Sequence, residues 1–154
     1  MALEPMETAH GSDYPCCVQL SVFVENHVGQ LLRLTRLFQH QPIHILGMSI
    51  DAMVDCAVVR MLFDDVDAAH GALTDAGFTV AQTEVLVVEL PPGRRSIMTV
   101  FGALIGGEVN INYLYPLVAT DARPTCMAIH VDHLGQAGAA LTHRKFRVLD
   151  QSDL

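Results

Sequence analysis

The chain has 154 residues, of which 51% are hydrophobic and 17% charged, with a formal net charge of −8. That composition supplies ample apolar material for a core, excludes a disordered chain and argues against a nucleic-acid backbone as partner. No apolar run reaches the roughly 18–20 residues of a membrane helix, and MALEPMETAHGSDYP has no basic segment leading into an apolar one, so no secretory signal is read there.

In chain order, residues 1–15 read as a flexible leader. Val18 to Val24 (VQLSVFV) is apolar and β-branched, which predicts a strand. Gly29 opens a stretch in which Leu31, Leu34, Leu37 and Phe38 recur at helical spacing, and Pro42 is read as its end. Ile43 to Ile50 and Cys56 to Phe63 are the second and third strands. Asp64 or Asp65 caps a helix that buries Val66, Ala69 and Leu73, and Gly77 follows as its left-handed terminator. Phe78 to Leu90 is one continuous strand-like run. Beyond it, Ile97, Val100, Phe101, Leu104 and Ile105 predict the buried stripe of a third helix. Val109 to Val118 and Thr125 to Val131 are strands, Asp132 caps a helix carrying Leu134, Ala137 and Leu141, and Phe146 to Leu149 is the last strand.

The elements are one unit written twice. At an offset of 66, Leu20 falls on Leu86, Val22 on Val88, Leu31 on Ile97, Leu34 on Val100, Phe38 on Leu104 and Ile45 on Ile111. At an offset of 68, Ala72, Leu73 and Thr74 fall on Ala140, Leu141 and Thr142, and Phe78 falls on Phe146. The change of offset requires a two-residue insertion between the second and third strands of the second copy, placed at Ala119 to Pro124. Each copy reads strand–helix–strand–strand–helix–strand, a split βαβ arrangement. The fold class is α+β, two ferredoxin-like units with antiparallel sheets and helices on one face. The first unit spans residues 16–84 and the second 85–154, sharing the run from Phe78 to Leu90 without a linker. Units of about 65–70 residues are marginal alone, so the two are expected to act as one body.

The loop Asn26-His27-Val28-Gly29-Gln30-Leu31 joins the first strand to the first helix. Backbone N–H groups at a helix start attract a carboxylate, and a glycine lets a ligand approach the backbone closely. Strand carbonyls, the Asn26 amide and a nearby Asn can receive an ammonium group. The plainer reading is a strand–helix turn with Asn26 as N-cap.

With these residues in view, the chain resembles the ACT family, whose pattern is a strand, an acidic or Asn residue, a short loop with Gly, an apolar helix and a strand opening on an I-N-I triplet. The first copy reads LSVFVENHVGQLLRLTRLF followed by Ile43-His44-Ile45, and the second reads VLVVELPPGRRSIMTVFGAL followed by Val109-Asn110-Ile111. The resemblance covers about residues 17–150. It implies a free-standing tandem ACT protein, not an enzyme, that binds a free amino acid at an interface between ACT domains and regulates an amino-acid-metabolism enzyme. Acetolactate synthase is one candidate class by analogy. Carried over residue by residue, Gly29 matches the loop glycine and Asn110 the strand-opening Asn, which in the first copy is His44. A complete site then combines Asn26 to Leu31 with Asn110, Ile111 and Asn112 of another domain, in the same chain or a second one. In the second copy Arg95 aligns with Gly29, leaving Pro91 to Arg95 as a degenerate site or a contact surface. The alternative implied by the same resemblance is an assembly module that binds no ligand. Open sheet edges predict a homodimer or larger symmetric assembly.

Other chemistry is weak. The four cysteines, Cys16, Cys17, Cys56 and Cys126, form no CxxC. Cys56 and Cys126 sit in apolar runs and are expected to be buried reduced thiols, consistent with a cytoplasmic setting. His130 and His133 straddle a strand end and a helix cap with no third ligand in sequence, and Pro42 interrupts His40 and His44. Gly102 to Glu108 lacks the GK[ST] of a phosphate loop. No cofactor or metal is expected. An RNA-binding reading of the same element order lacks a basic surface and third-strand aromatics, and a copper-chaperone reading lacks an MxCxxC loop.

Overall fold

The computed structural model describes residues 14–154. The leader expected over residues 1–15 falls, for residues 1–13, outside the described residues. Tyr14 lies against the fourth helix, where a Cβ on Gly138 would stand 2.8 Å from the Tyr14 Cβ.

Among the described residues the order is β1 (Cys17–Glu25), α1 (Gln30–Arg36), β2 (Ile45–Ala52), β3 (Cys56–Phe63), α2 (Val66–Asp75), β4 (Thr79–Glu89), α3 (Ser96–Gly106), β5 (Ile111–Pro116), β6 (Cys126–Val131), α4 (Leu134–His143) and β7 (Val148–Leu149). A 3₁₀ turn at Gln151–Asp153 follows. The strands run β2-β3-β1-β4-β6-β5, with β7 also on β4. β4 is the shared strand: Thr79 to Val85 pair with β1, and Leu86 to Glu89 pair with β6. The run from Phe78 to Leu90 therefore belongs to both units.

The repeat is visible in the register. Met48 stands opposite Met61 as Leu114 stands opposite Ile129, and both hairpins carry the same irregularity, at Ile45/Gly47 and Ile111/Tyr113. The pairs are related by 66 on one strand and 68 on the other, as the two-residue insertion requires.

Strand alternation sorts the core into three parts. Leu20, Val22, Val59 and Met61 point to α1 and α2, where they meet Leu34, Phe38, Ala69 and Leu73. Leu86, Val88, Met127 and Ile129 meet Val100, Leu104, Ala137 and Leu141 in the same way. The opposite faces of the two half-sheets bury each other through Leu62, Val85, Val87, Tyr115, Leu117 and Ala128. That mutual cover explains why β4 is apolar at consecutive positions, Val85-Leu86-Val87-Val88. Near the open side, Gly47 forms a bridge with Leu117, and a larger residue at 47 would press on Tyr115 and the Pro116 carbonyl at 3.3 Å.

Local chemistry revises several boundaries. β2 begins at Ile45 instead of Ile43, and β5 at Ile111 instead of Val109. The cause is shared: the His44 N–H donates to Asp64 Oδ1 at 2.8 Å and the Asn110 N–H to Asp132 Oδ1 at 3.1 Å, outside the strand ladder. Asp132 is thereby not the cap of α4, whose N-cap residue is His133. In the first unit Asp65, not Asp64, caps α2 by accepting from the Ala68 N–H at 3.0 Å. α1 stops at Arg36, well before Pro42, and passes into turns in which Phe38 and Gln39 bond back three residues. Gly77 ends α2 at φ 86, with the Phe78 N–H on the Leu73 carbonyl at 3.0 Å.

The predicted α3 stripe is narrower than expected. Val100, Ala103 and Leu104 are buried, whereas Ile97 and Ile105 are exposed. α3 leans on α4 through small residues, since a Cβ on Gly107 would lie 2.7 Å from the Ala140 Cβ. Cys56, expected to be buried, is exposed at the first position of β3. The buried thiols are Cys17 and Cys126. Burial pushes Cys17 up to about 12 and raises Cys126 as well, so neither is a ready nucleophile.

Candidate functional site

The loop after β1 is held from below. The Asn26 side chain donates to the Met53 carbonyl at 2.7 Å, and the Asn26 N–H to the Asp55 carbonyl at 3.2 Å. Asn26 thus ties the loop to the β2–β3 hairpin. It does not cap α1; Gly29 is the N-cap residue, at φ 95, and no side chain caps the helix. This left-handed angle is what requires glycine there. A Cβ at Gly29 would meet no atom within 4 Å, so the turn is open at that point. Val28 and Leu31 are exposed. His27 Nε2 lies 2.8 Å from Glu25 Oε2 and 3.3 Å from Gln30 Nε2. The bond to Glu25, helped by the Val28 carbonyl, raises the His27 pKa above its ordinary value.

Asn110 and Asn112 sit at the start of β5. The Asn110 side chain donates to Asn112 Oδ1 at 3.4 Å, and Asn112 Nδ2 lies 3.0 Å from His130 Nδ1. Ile111 turns its side chain to the second core. Among the described residues, no hydrogen bond joins Asn110 to Asn112 with Asn26 to Leu31. The two sets of residues each carry local hydrogen bonds, and these bonds do not couple them within the chain.

A polar network between the half-sheets escaped the sequence reading. Gln19 is fully buried; its Nε2 donates to Tyr113 Oη at 2.8 Å and to Ser21 Oγ at 3.1 Å. Its Oε1 accepts from Tyr115 Oη at 2.8 Å. Arg60 lies 4.0 Å over the Tyr113 ring, which stacks on His130 at 4.8 Å. Burial lowers the His130 pKa, and the nearby Arg60 lowers it further. The signal was a glutamine within an otherwise apolar strand and tyrosines at alternate positions, Tyr113 and Tyr115. His130 serves as a stacking partner, and no group of three or more potential metal ligands occurs among the described residues.

Residues 16–154 match the family model of the ACT domain pair, and the chain belongs to that family, a regulatory domain type. It is similar to the crystal structure of protein BT0572 from Bacteroides thetaiotaomicron at 27% identity and a TM-score of 0.82, over 92% of this chain and 97% of that one. It is also similar to the ligand-free regulatory subunit of aspartate kinase from Thermus thermophilus, at 14% identity and a TM-score of 0.53, over 82% of this chain and 90% of that one; this likeness is one of fold. No curated protein matches the chain. No helix among the described residues is long and apolar enough to cross a membrane.

Proposed function

We propose that this chain binds a free amino acid and passes that signal to an enzyme of amino-acid metabolism, regulating it without itself catalysing a reaction. The observation that carries the reading is the match of residues 16–154 to the ACT domain pair. The open turn at Gly29 supports a place for the ligand: a Cβ there would meet no atom within 4 Å, and no side chain caps α1 by a hydrogen bond. On this reading a ligand carboxylate meets the N–H groups of Gly29 and Leu31, beside the Gln30 N–H that the His27 carbonyl holds at 3.3 Å. Asn26 and His27 set the shape of the turn. Asn110, Ile111 and Asn112 of a second copy supply acceptors for the ammonium group. The regulatory role of the Thermus aspartate kinase subunit fits this reading. Acetolactate synthase remains one candidate class of partner.

The test is a thermal-shift screen of the twenty amino acids, since a ligand of the native state raises stability by RT ln(1 + [L]/Kd). At least one is expected to raise the midpoint. Gly29→Asp is then compared with Gly29→Asn by calorimetry. Both variants carry the same left-handed strain, but only Asp places a negative charge beside the ligand carboxylate. Binding is expected to fall at least about tenfold further in Gly29→Asp, more than a capping change of about 1 kcal/mol. Equal affinity in the two variants overturns the site. No stabilisation by any amino acid overturns the sensing function and leaves assembly as the role of the ACT interface.

A further inference from the structure

The repeat places the same hollow in both units, and one of the two is plugged. In the first unit the hollow lies between the end of β1, the start of α1 and the α2–β4 turn, at Phe23, Glu25, Gln30, Gly77 and Phe78, and measures only about 200 Å³. Arg33 occupies it. The guanidinium lies 4.5 Å over the Phe78 ring and donates to the Ala76 carbonyl at 2.9 Å. In the second unit the equivalent residues are Glu89, Pro91, Ser96, Lys145 and Phe146, and the hollow is a cleft of about 660 Å³. Thr99 stands at the position of Arg33, and its hydroxyl turns back to the Arg95 carbonyl at 2.8 Å. Among the described residues no cation covers Phe146 as Arg33 covers Phe78.

The charges around the cleft differ in the same sense. Lys145 replaces the Gly77 of the first unit and keeps a left-handed φ of 65. A lysine in that region carries a conformational cost that glycine does not. Among the described residues Lys145 takes part in no ion pair, whereas Arg147 is held by Glu89 at 3.2 Å and Asp153 at 4.0 Å. The cleft thus has an uncommitted ammonium at its rim, an open aromatic face and an apolar wall formed by Leu90, Pro91 and Pro124.

We propose that this cleft is a second ligand site, which takes a free α-amino acid with an apolar side chain. The ligand carboxylate meets Lys145. Its ammonium group lies on the Phe146 ring, where the first unit places the Arg33 guanidinium, and its side chain packs on Leu90, Pro91 and Pro124. The cleft volume falls within the roughly 300–1,000 Å³ of small-molecule sites, and a cation on an aromatic face is attractive once desolvated. The loop from Pro91 to Arg95 then borders a site instead of being a degenerate remnant. This proposal rests on the amino-acid-sensing reading and adds a place and a side-chain class to it.

The test follows backbone amides of the full chain by nuclear magnetic resonance during titration with L-leucine and L-phenylalanine. At least one of the two is expected to shift Gly93, Ser96, Thr125 and Phe146. Thr99→Arg, which installs the plug of the first unit on an exposed helix position, is expected to abolish those shifts. Lys145→Gly, which restores the glycine of the repeat, is expected to keep the wild-type melting temperature or exceed it while weakening binding at least tenfold. Amino-acid binding that shifts only Asn26 to Leu31 and survives Thr99→Arg overturns the cleft but leaves the sensing function standing. If none of the twenty amino acids shifts any amide, both fall.

Discussion

Gln19 shows how one side chain can join two units that are far apart in sequence. It sits on the face of β1 that turns away from the helices, and it is bonded to tyrosines 94 and 96 residues later. Tyr115 is almost fully buried, and burial raises its pKa well above the ordinary tyrosine value, so its hydroxyl depends on a protein acceptor. Gln19→Met keeps the volume but strands the Tyr115 hydroxyl, at a cost of about 1–3 kcal/mol for an unsatisfied buried group. Urea unfolding is expected to show a loss of that size. The triple change Gln19→Met, Tyr113→Phe and Tyr115→Phe removes both tyrosine hydroxyls with the amide, leaving only Ser21 Oγ of the network, and is expected to recover most of it, because the Tyr115 hydroxyl is no longer left unpaired. A triple variant no more stable than Gln19→Met would argue that packing, not hydrogen bonding, is what Gln19 provides.

The starts of β2 and β5 are set by an element-level device present in both units. An aspartate just past the end of the neighbouring strand accepts the N–H of the residue immediately before the strand register begins, as Asp64 does for His44 and Asp132 for Asn110. Asp64 also lies 2.7 Å from His44 Nδ1. Burial pushes its carboxyl up, but the bonds from the His44 N–H, the His44 ring and the Asp65 N–H outweigh that effect, and its pKa is lowered overall. The sign follows from the depressed value. The contribution of ionised Asp64 is complete above the ordinary carboxylate range near about pH 4 and is lost as pH falls through the lowered pKa. Asp64→Asn is expected to cost roughly 1 kcal/mol at neutral pH. The gap between wild type and variant should narrow in urea titrations taken down towards about pH 2. A gap that stays constant over that range would show that the carboxylate charge contributes nothing.

At the scale of the whole molecule, the shared strand β4 and the mutual cover of the half-sheets make one body of the two units. The far end of the first unit remains apolar: Val28, Leu32, Met53 and Val54 are exposed, and Asn26 holds the loop and the hairpin side by side. Among the described residues β2 is an outer strand, partnered along its length on one side by β3 and on the other only by the bridge from Gly47 to Leu117. Exposed apolar surface and an open edge favour association. Light scattering at micromolar concentration is therefore expected to give at least twice the 16.8 kDa mass of one chain. A purely monomeric solution would contradict the expectation and deprive the Gly29 site of its second half.

The element order, the doubled unit and the helix-facing half of each core were legible in the sequence. Periods of two and of 3.6 residues are local signals, and the repeat states each of them twice, so Leu20 and Leu86 or Leu34 and Val100 could be placed without coordinates. Turn chemistry was legible at Gly77, which the sequence marks as a left-handed terminator, but not at Gly29, where the sequence points to Asn26 as the cap. The other side of the sheets was decided only by tertiary structure. Whether Gln19 is a solvated strand residue or a buried junction depends on Tyr113 and Tyr115 lying across from it, and no local period encodes that separation. Cys56 and Cys126 each open a strand in an equally apolar run, but only Cys126 is buried between the half-sheets, and Cys56 is left exposed. The two hollows differ in part because one helix position, Arg33 or Thr99, either reaches across to an aromatic ring or does not, and in part because Pro124 and Thr125 border only the second; both depend on elements being brought together by the fold.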